Sequence, residues 1–92
     1  MLNSAEVYDP SVDQWTFMTP MNRPRSGVQL VQFDNCLYAI GGNDGISRQT
    51  SLERYQPKHK KWTLLADMNI QRSNFASAVL ENLIYVIGGF NV

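Results

Sequence analysis

Two stretches decide the fold: Cys36-Leu37-Tyr38-Ala39-Ile40-Gly41-Gly42 and Leu83-Ile84-Tyr85-Val86-Ile87-Gly88-Gly89. Each is an unbroken apolar run that stops on a pair of glycines. A short apolar run suits a strand covered on both faces. The glycines mark where that strand turns into a loop, because glycine reaches backbone conformations closed to other residues. The two stretches lie 47 residues apart, and at that offset the sequence overlays itself without a gap. Ser4, Glu6, Tyr8 and Pro10 fall on Ser51, Glu53, Tyr55 and Pro57. Trp15-Thr16 falls on Trp62-Thr63, Met21-Asn22 on Met68-Asn69, Arg25-Ser26 on Arg72-Ser73 and Asn35 on Asn82. About a third of the overlapped positions are identical, so the chain is an internal repeat.

Each unit reads as four short strands. Gly27 to Phe33 and Phe75 to Leu80 are moderately apolar, and each precedes a Gly-Gly strand across a polar pair, Asp34-Asn35 or Glu81-Asn82. Such pairs are hairpin turns. Asn3 to Tyr8 and Thr50 to Tyr55 alternate in character, as half-buried strands do. Gln14 to Met18 and Lys61 to Leu65 carry the tryptophans. Asp9-Pro10 and Gln56-Pro57 end the strands before them, since proline has no amide to donate. Pro20 and Pro24 punctuate the next connection. No segment sustains a 3.6-residue apolar period with caps, so no helix is expected.

Four strands recurring in under 50 residues indicate a propeller blade. The order of motifs narrows the family: an apolar run ending in Gly-Gly, then Glu-x-Tyr, then Trp, then Met, then Arg-Ser. This pattern resembles the kelch repeat, and two units cover almost the whole chain. The closest resemblance is to the kelch-like proteins, in which a kelch propeller follows a BTB domain and acts as substrate receptor of a cullin-based ubiquitin ligase. The resemblance implies an all-β fold of antiparallel four-stranded kelch blades, with the Gly-Gly strand and its predecessor inside and the Tyr and Trp strands outside. The chain opens on an outer pair and closes on an inner pair. It therefore reads as a partial β-propeller, one complete blade flanked by two half blades, with repeat units of roughly 1–42 and 43–89 within residues 1–92 and no second domain. Propellers normally close with four or more blades. The chain is thus expected to be part of a longer propeller, or to assemble with itself through its open blade edges.

Composition excludes other classes. Eight basic and eight acidic side chains cancel, which removes the electrostatic attraction to nucleic acid or anionic lipid. No apolar run approaches the roughly 18 residues of a membrane helix. Met1 to Glu6 has neither a basic nor an apolar signal region, so no signal peptide is expected. A single cysteine, Cys36, offers no internal disulfide and suits a reducing compartment, so the expected location is cytoplasmic, with the nucleus as the alternative. One histidine, His59, leaves no Ser-His-Asp triad and no histidine-rich metal site. No catalytic residue, metal or cofactor is expected.

The candidate residues fall into two groups. Glu6, Tyr8, Trp15, Gly41, Gly42, Glu53, Tyr55, Trp62, Gly88 and Gly89 recur in both units and are read as the framework, the aromatics as core. The glutamates are read as hydrogen-bond or ion-pair partners of Arg25 and Arg72, because two carboxylates at equivalent places in different blades cannot converge on one cleft. Cys36 is read as a buried small hydrophobe and Lys58-His59-Lys60-Lys61 as a solvated turn. In the resembled family, the loop linking blades and the loop after Gly-Gly form the ligand face. That places Arg23, Arg25, Ser26, Asn43, Arg48, Arg72, Ser73 and Phe90 as candidate contacts to a protein partner. For Arg25 and Arg72 the structural and contact readings stand side by side. Asp44-Gly45 reads as turn chemistry. Two positions depart from the family pattern: Gln56 where Asp9 stands in the first unit, and Asn74 where Gly27 stands. The second leaves open whether both linkers share one shape.

The resulting expectation is a protein–protein interaction module that recognises a protein substrate or peptide segment, as a substrate adaptor of a cullin-based ubiquitin ligase. Contact with the cullin complex would run through a BTB domain of which this sequence shows nothing. The alternatives are an actin- or cytoskeleton-binding kelch protein and a truncated product without independent function. An oxidase of the kelch-like copper type would need several histidine and tyrosine ligands and a Cys-Tyr crosslink, which a chain with one histidine and one cysteine does not supply alone.

Overall fold

The structure, a computed structural model, describes residues 2–91. It holds eight strands and no helix among the described residues: β1 Glu6–Asp9, β2 Gln14–Phe17, β3 Gln29–Phe33, β4 Cys36–Ile40, β5 Leu52–Gln56, β6 Lys61–Leu64, β7 Ala76–Leu80 and β8 Leu83–Ile87. They form a hairpin β1-β2, a four-stranded antiparallel sheet β3-β4-β5-β6, and a hairpin β7-β8. This is the expected arrangement of one complete blade between two half blades. The strands are shorter at their starts than the sequence suggests. Asn3 to Ala5 and Thr50-Ser51 precede β1 and β5, and their carbonyls serve other partners: Asn3 accepts from the Met21 amide at 2.8 Å and Thr50 from the Met68 amide at 2.9 Å.

The turns explain the register. Asp34 and Asn35 have φ of 51° and 60°, and Glu81 and Asn82 have φ of 49° and 65°. Two successive left-handed residues make the tight turn whose twist matches antiparallel strands. They set Phe33 opposite Cys36 and Leu80 opposite Leu83. The longer turns after Pro10 and Pro57 each end on one left-handed residue, Asp13 at 54° and Lys60 at 51°. They set Tyr8 opposite Trp15 and Tyr55 opposite Trp62. Each aromatic pair meets at 5.2 Å between ring centroids, tilted by 45° and 47°.

The core lies between sheets. Met21, Ala39, Tyr55 and Trp62, with Met18, Val28 and Leu37, fill the seam between the first hairpin's connection and the complete blade. Val31, Ile40 and Phe75, with Tyr38, Leu52, Met68, Ile84 and Val86, fill the seam to the second hairpin. The expectation that all four recurrent aromatics are core is corrected here. Trp62 is 6% exposed, whereas Trp15 is 65% exposed and Tyr8 is also open to solvent. The local geometry is the same, but no inner strand pair covers Tyr8 and Trp15 among the described residues. Cys36 is half-buried rather than buried, because it opens β4 at the rim beside the Gln56–His59 turn.

Gly41 shows what the double glycine does. Its φ is +63°, and a Cβ there would lie 2.5 Å from the Arg72 carbonyl. The linker to the next hairpin crosses at this point, and the Gly42 amide donates to that same carbonyl at 2.8 Å. Gly88 has a similar φ of +74° but nothing within 4 Å of such a Cβ. Both substitutions to alanine carry left-handed strain, about 1–2 kcal/mol. Only Gly41→Ala must also displace backbone. Urea unfolding of the two variants is expected to show Gly41→Ala the more destabilising by at least about 2 kcal/mol; equal losses would remove the close approach as the reason for this glycine.

Candidate partner-binding face

The face is held by a buried cluster around Arg25. Pairing of β4 with β5 sets Ala39 opposite Glu53, which carries the Glu53 carboxylate beneath the linker before β3. Arg25 meets it through Nε and Nη2, each 3.2 Å from Oε2, with both side chains fully buried. Arg25 Nη1 donates to the carbonyls of Gly41 at 2.8 Å and Ser51 at 2.9 Å, and Nη2 to Ser51 Oγ at 2.9 Å. Glu53 accepts from the Asn22 amide at 2.7 Å, from Asn22 Nδ2 at 3.0 Å and from the Arg23 amide at 3.1 Å. Burial pushes the Arg25 guanidinium below its ordinary value, opposed by the charge and hydrogen bonds of Glu53. Arginine remains charged throughout, so the pair is ionic and its remaining polar atoms are satisfied.

Of the two readings of Arg25, this geometry selects the structural one. At 5% exposure with its donors engaged, Arg25 is a clamp that joins the linker, the Gly-Gly strand and β5, and it is withdrawn as a contact residue. Ser73 is corrected in the same way. It is buried, accepts from Arg48 Nε at 2.7 Å and pairs its backbone with Phe90, so it orients Arg48 and presents nothing outward. Asn43 is half-buried, and its Oδ1 accepts the Gly45 amide at 2.7 Å, shaping the loop from within. Ser26 is exposed and donates to the Asn43 carbonyl at 3.3 Å.

Arg23, Arg48, Arg72 and Phe90 sit around the same end of the strands, where the linkers meet the loops after Gly-Gly. Arg23 is exposed, and Nη1 donates to Gln49 Oε1 at 3.2 Å. Gln49 in turn donates to Asp44 Oδ2 at 2.9 Å. Asp44 accepts the amides of Ile46 and Ser47, each at 2.9 Å, and these bonds hold its carboxyl below the usual value. The loop is thereby preformed. The Arg48 guanidinium lies 5.8 Å from the Phe90 ring centroid, a cation–π contact that keeps it extended along the face. Arg72 is half-buried, and Nη1 donates to the Gly88 carbonyl at 2.8 Å. The linkers share one shape after all: Asn74 at φ 55° adopts the left-handed turn that Gly27 makes at 61°.

Three framework residues escape a reading by chemistry alone: Asn22, Gln49 and Ser51. The recurrence of Asn22 as Asn69 and of Ser51 as Ser4 is the signal that would have found two of them. Gln49 recurs nowhere and carries no such signal.

A sequence profile of the Kelch motif matches residues 2–22, 24–69 and 71–92. The chain belongs to the kelch-repeat family. The matched segments divide where the two hairpins meet the complete blade, so this chain is a partial kelch propeller. Among similar curated proteins, the mouse influenza virus NS1A-binding protein homolog is 40% identical over 50 residues, 54% of this chain and 8% of that protein. Mouse Kelch-like protein 1 is 42% identical over 45 residues, 49% of this chain and 6% of that protein. An F-box/kelch-repeat protein of Arabidopsis thaliana is 44% identical over 46 residues, 50% of this chain and 12% of that protein. The matched part is thus a small fraction of each relative's length. Kelch repeats are protein–protein interaction modules, and the kelch blade here supplies the rigid part of one.

Proposed function

We infer that this chain contributes part of a kelch face that binds an acidic segment of a partner protein, in the manner of a substrate adaptor of a cullin-based ubiquitin ligase. It performs no catalysis of its own. The observation that carries this reading is the division of labour among the arginines. Arg25 is spent on the fold, while Arg23 and Arg48 are held outward by Gln49, Ser73 and Phe90. A guanidinium fixed in this way grips a carboxylate with two hydrogen bonds at little cost in ordering. The loop that carries Arg48 is built on rigid strands, where scaffolds place specificity. Similarity to Kelch-like protein 1 and to an F-box/kelch-repeat protein supports the adaptor role, and a relative named for binding NS1A supports a protein ligand.

The test is capture of partners by the chain, quantified by mass spectrometry, beside a double variant Arg23→Ala/Arg48→Ala. The expected result is at least a tenfold loss of the bound partners with the strand fold retained in circular dichroism. Equal recovery by both proteins would contradict the assignment. Recovery of filaments by the chain in an actin cosedimentation assay would move the reading to a cytoskeletal partner.

A further inference from the structure

The two outer edges of this chain match each other, in charge and in shape. In the complete blade, β4 receives β5, and Arg25 takes Glu53 and Ser51 as partners. At the 47-residue offset, Arg72 stands as Arg25 does: its Nη1 donates to the Gly88 carbonyl at 2.8 Å, as Arg25 Nη1 donates to that of Gly41. Among the described residues, Arg72 has no carboxylate. Glu6, the counterpart of Glu53, is exposed on β1 and has no cation among the described residues. β8 pairs with β7 and β1 with β2, and the other edge of each is unpaired among the described residues.

The apolar surfaces agree independently. Ile40 is 1% exposed in the seam that holds Phe75, Met68, Ile84, Val86 and Leu52. Its counterpart Ile87 is 68% exposed. The counterparts of those five neighbours are Val28, Met21, Leu37, Ala39 and Ala5. All five line one open groove, mostly apolar, between the first hairpin and the complete blade. The chain thus displays a knob at one edge and the seat for that knob at the other.

We propose that β8 of one copy receives β1 of a second copy of this chain, in the register that β5 takes on β4. The register sets Val86 opposite Glu6 of the second copy and Tyr85 opposite Val7 of the second copy. Glu6 of the second copy closes on Arg72, and Ile87 enters the second copy's groove. The contact is head-to-tail, so it repeats until it closes. These 92 residues hold the strands of two blades, and propellers of 4–8 blades close; two to four copies of the 92-residue chain therefore suffice for a ring. Arg72 borders the face of Arg48 through Gly88 and Phe90, but the inference is carried by the strand edges and the apolar groove and does not depend on what that face binds.

Sedimentation of the 92-residue chain over a concentration series tests this directly. The mass is expected to rise from 10.5 kDa to a fixed multiple of that value. Arg72→Ala and Glu6→Ala should each weaken association by about a hundredfold, since each leaves a buried charge unpaired. Lys58→Ala, in the turn at the opposite rim, should not. The register is tested by mixing two chains in a Cys36→Ser background, one with Val7→Cys and one with Tyr85→Cys. In the parent blade, Gly41 donates to the carbonyl of Ser51 directly opposite, so by alternation Tyr38 and Arg54, the parents of this pair, form a non-hydrogen-bonded pair, the closer kind. Mild oxidation should link the two chains. A mass fixed at 10.5 kDa at all concentrations would overturn the proposal. So would linkage of Val7→Cys to Leu83→Cys as readily as to Tyr85→Cys, even if the alanine variants fail to fold.

Discussion

Glu53→Ala should cost about 3–5 kcal/mol, because it strands a buried guanidinium and removes the acceptor of two linker amides. Arg25 keeps its bonds to Gly41 and Ser51 in this variant, but its charge loses the Glu53 carboxylate, 3.2 Å away. The amides of Asn22 and Arg23 lose their partner as well. Native domains are stable by only about 5–15 kcal/mol, so the variant should be largely unfolded at moderate urea concentration. Arg25→Ala should be similarly severe. The double variant should cost clearly less than the sum of the two, since neither charge is then left alone. Glu6→Ala, measured at a concentration where the chain is monomeric, should change stability by no more than about 0.5 kcal/mol. A loss below about 1 kcal/mol for Glu53→Ala would mean that the cluster is not what joins linker to blade.

Trp62→Ala should cost about 3–5 kcal/mol, while Trp15→Ala in the same dilute conditions should cost less than about 1 kcal/mol. The comparison isolates burial, since both residues occupy the same place in the repeat and pack on a tyrosine at the same 5.2 Å. Trp62 also donates its indole N–H to the Thr19 carbonyl at 2.8 Å, and it lies within the seam of Met21, Ala39 and Tyr55. Its removal opens a cavity between two sheets. Trp15 has no such seam around it. Thermal unfolding followed by far-ultraviolet circular dichroism reads both. Equal losses would show that the local aromatic pair, not the seam, carries the energy.

These two contrasts also mark what the amino-acid order could reveal. Strand identity, turn positions and blade order were legible because they depend on local chemistry: left-handed residues at Asp34-Asn35, proline after β1 and β5, apolar runs before Gly-Gly. Burial was legible only in part. Trp15 and Trp62 are indistinguishable by local pattern, and what separates them is whether another sheet lies across them. The pairing of arginine with glutamate was ambiguous for a related reason. Each unit holds one recurrent arginine and one recurrent glutamate, and only the β4–β5 register decides that Arg25 takes Glu53 and not Glu6. At the candidate face, residue type identified arginine as the useful group but could not say which arginines are spent on the fold. Ser73 was misread for the same cause, and the Asn43 side-chain oxygen likewise serves its own loop. Short polar side chains serve neighbouring backbone and side chains as readily as they serve partners, and the sequence does not record which.

Hydrogen–deuterium exchange on the 92-residue chain tests the central claim, that a complete four-stranded blade anchors two open hairpins. Amides of β4 and β5, flanked by strands on both sides, should exchange slowest in dilute solution, with β1 and β2 the fastest of the strands. Protection spread evenly over all eight strands, or none in β4 and β5, would contradict it.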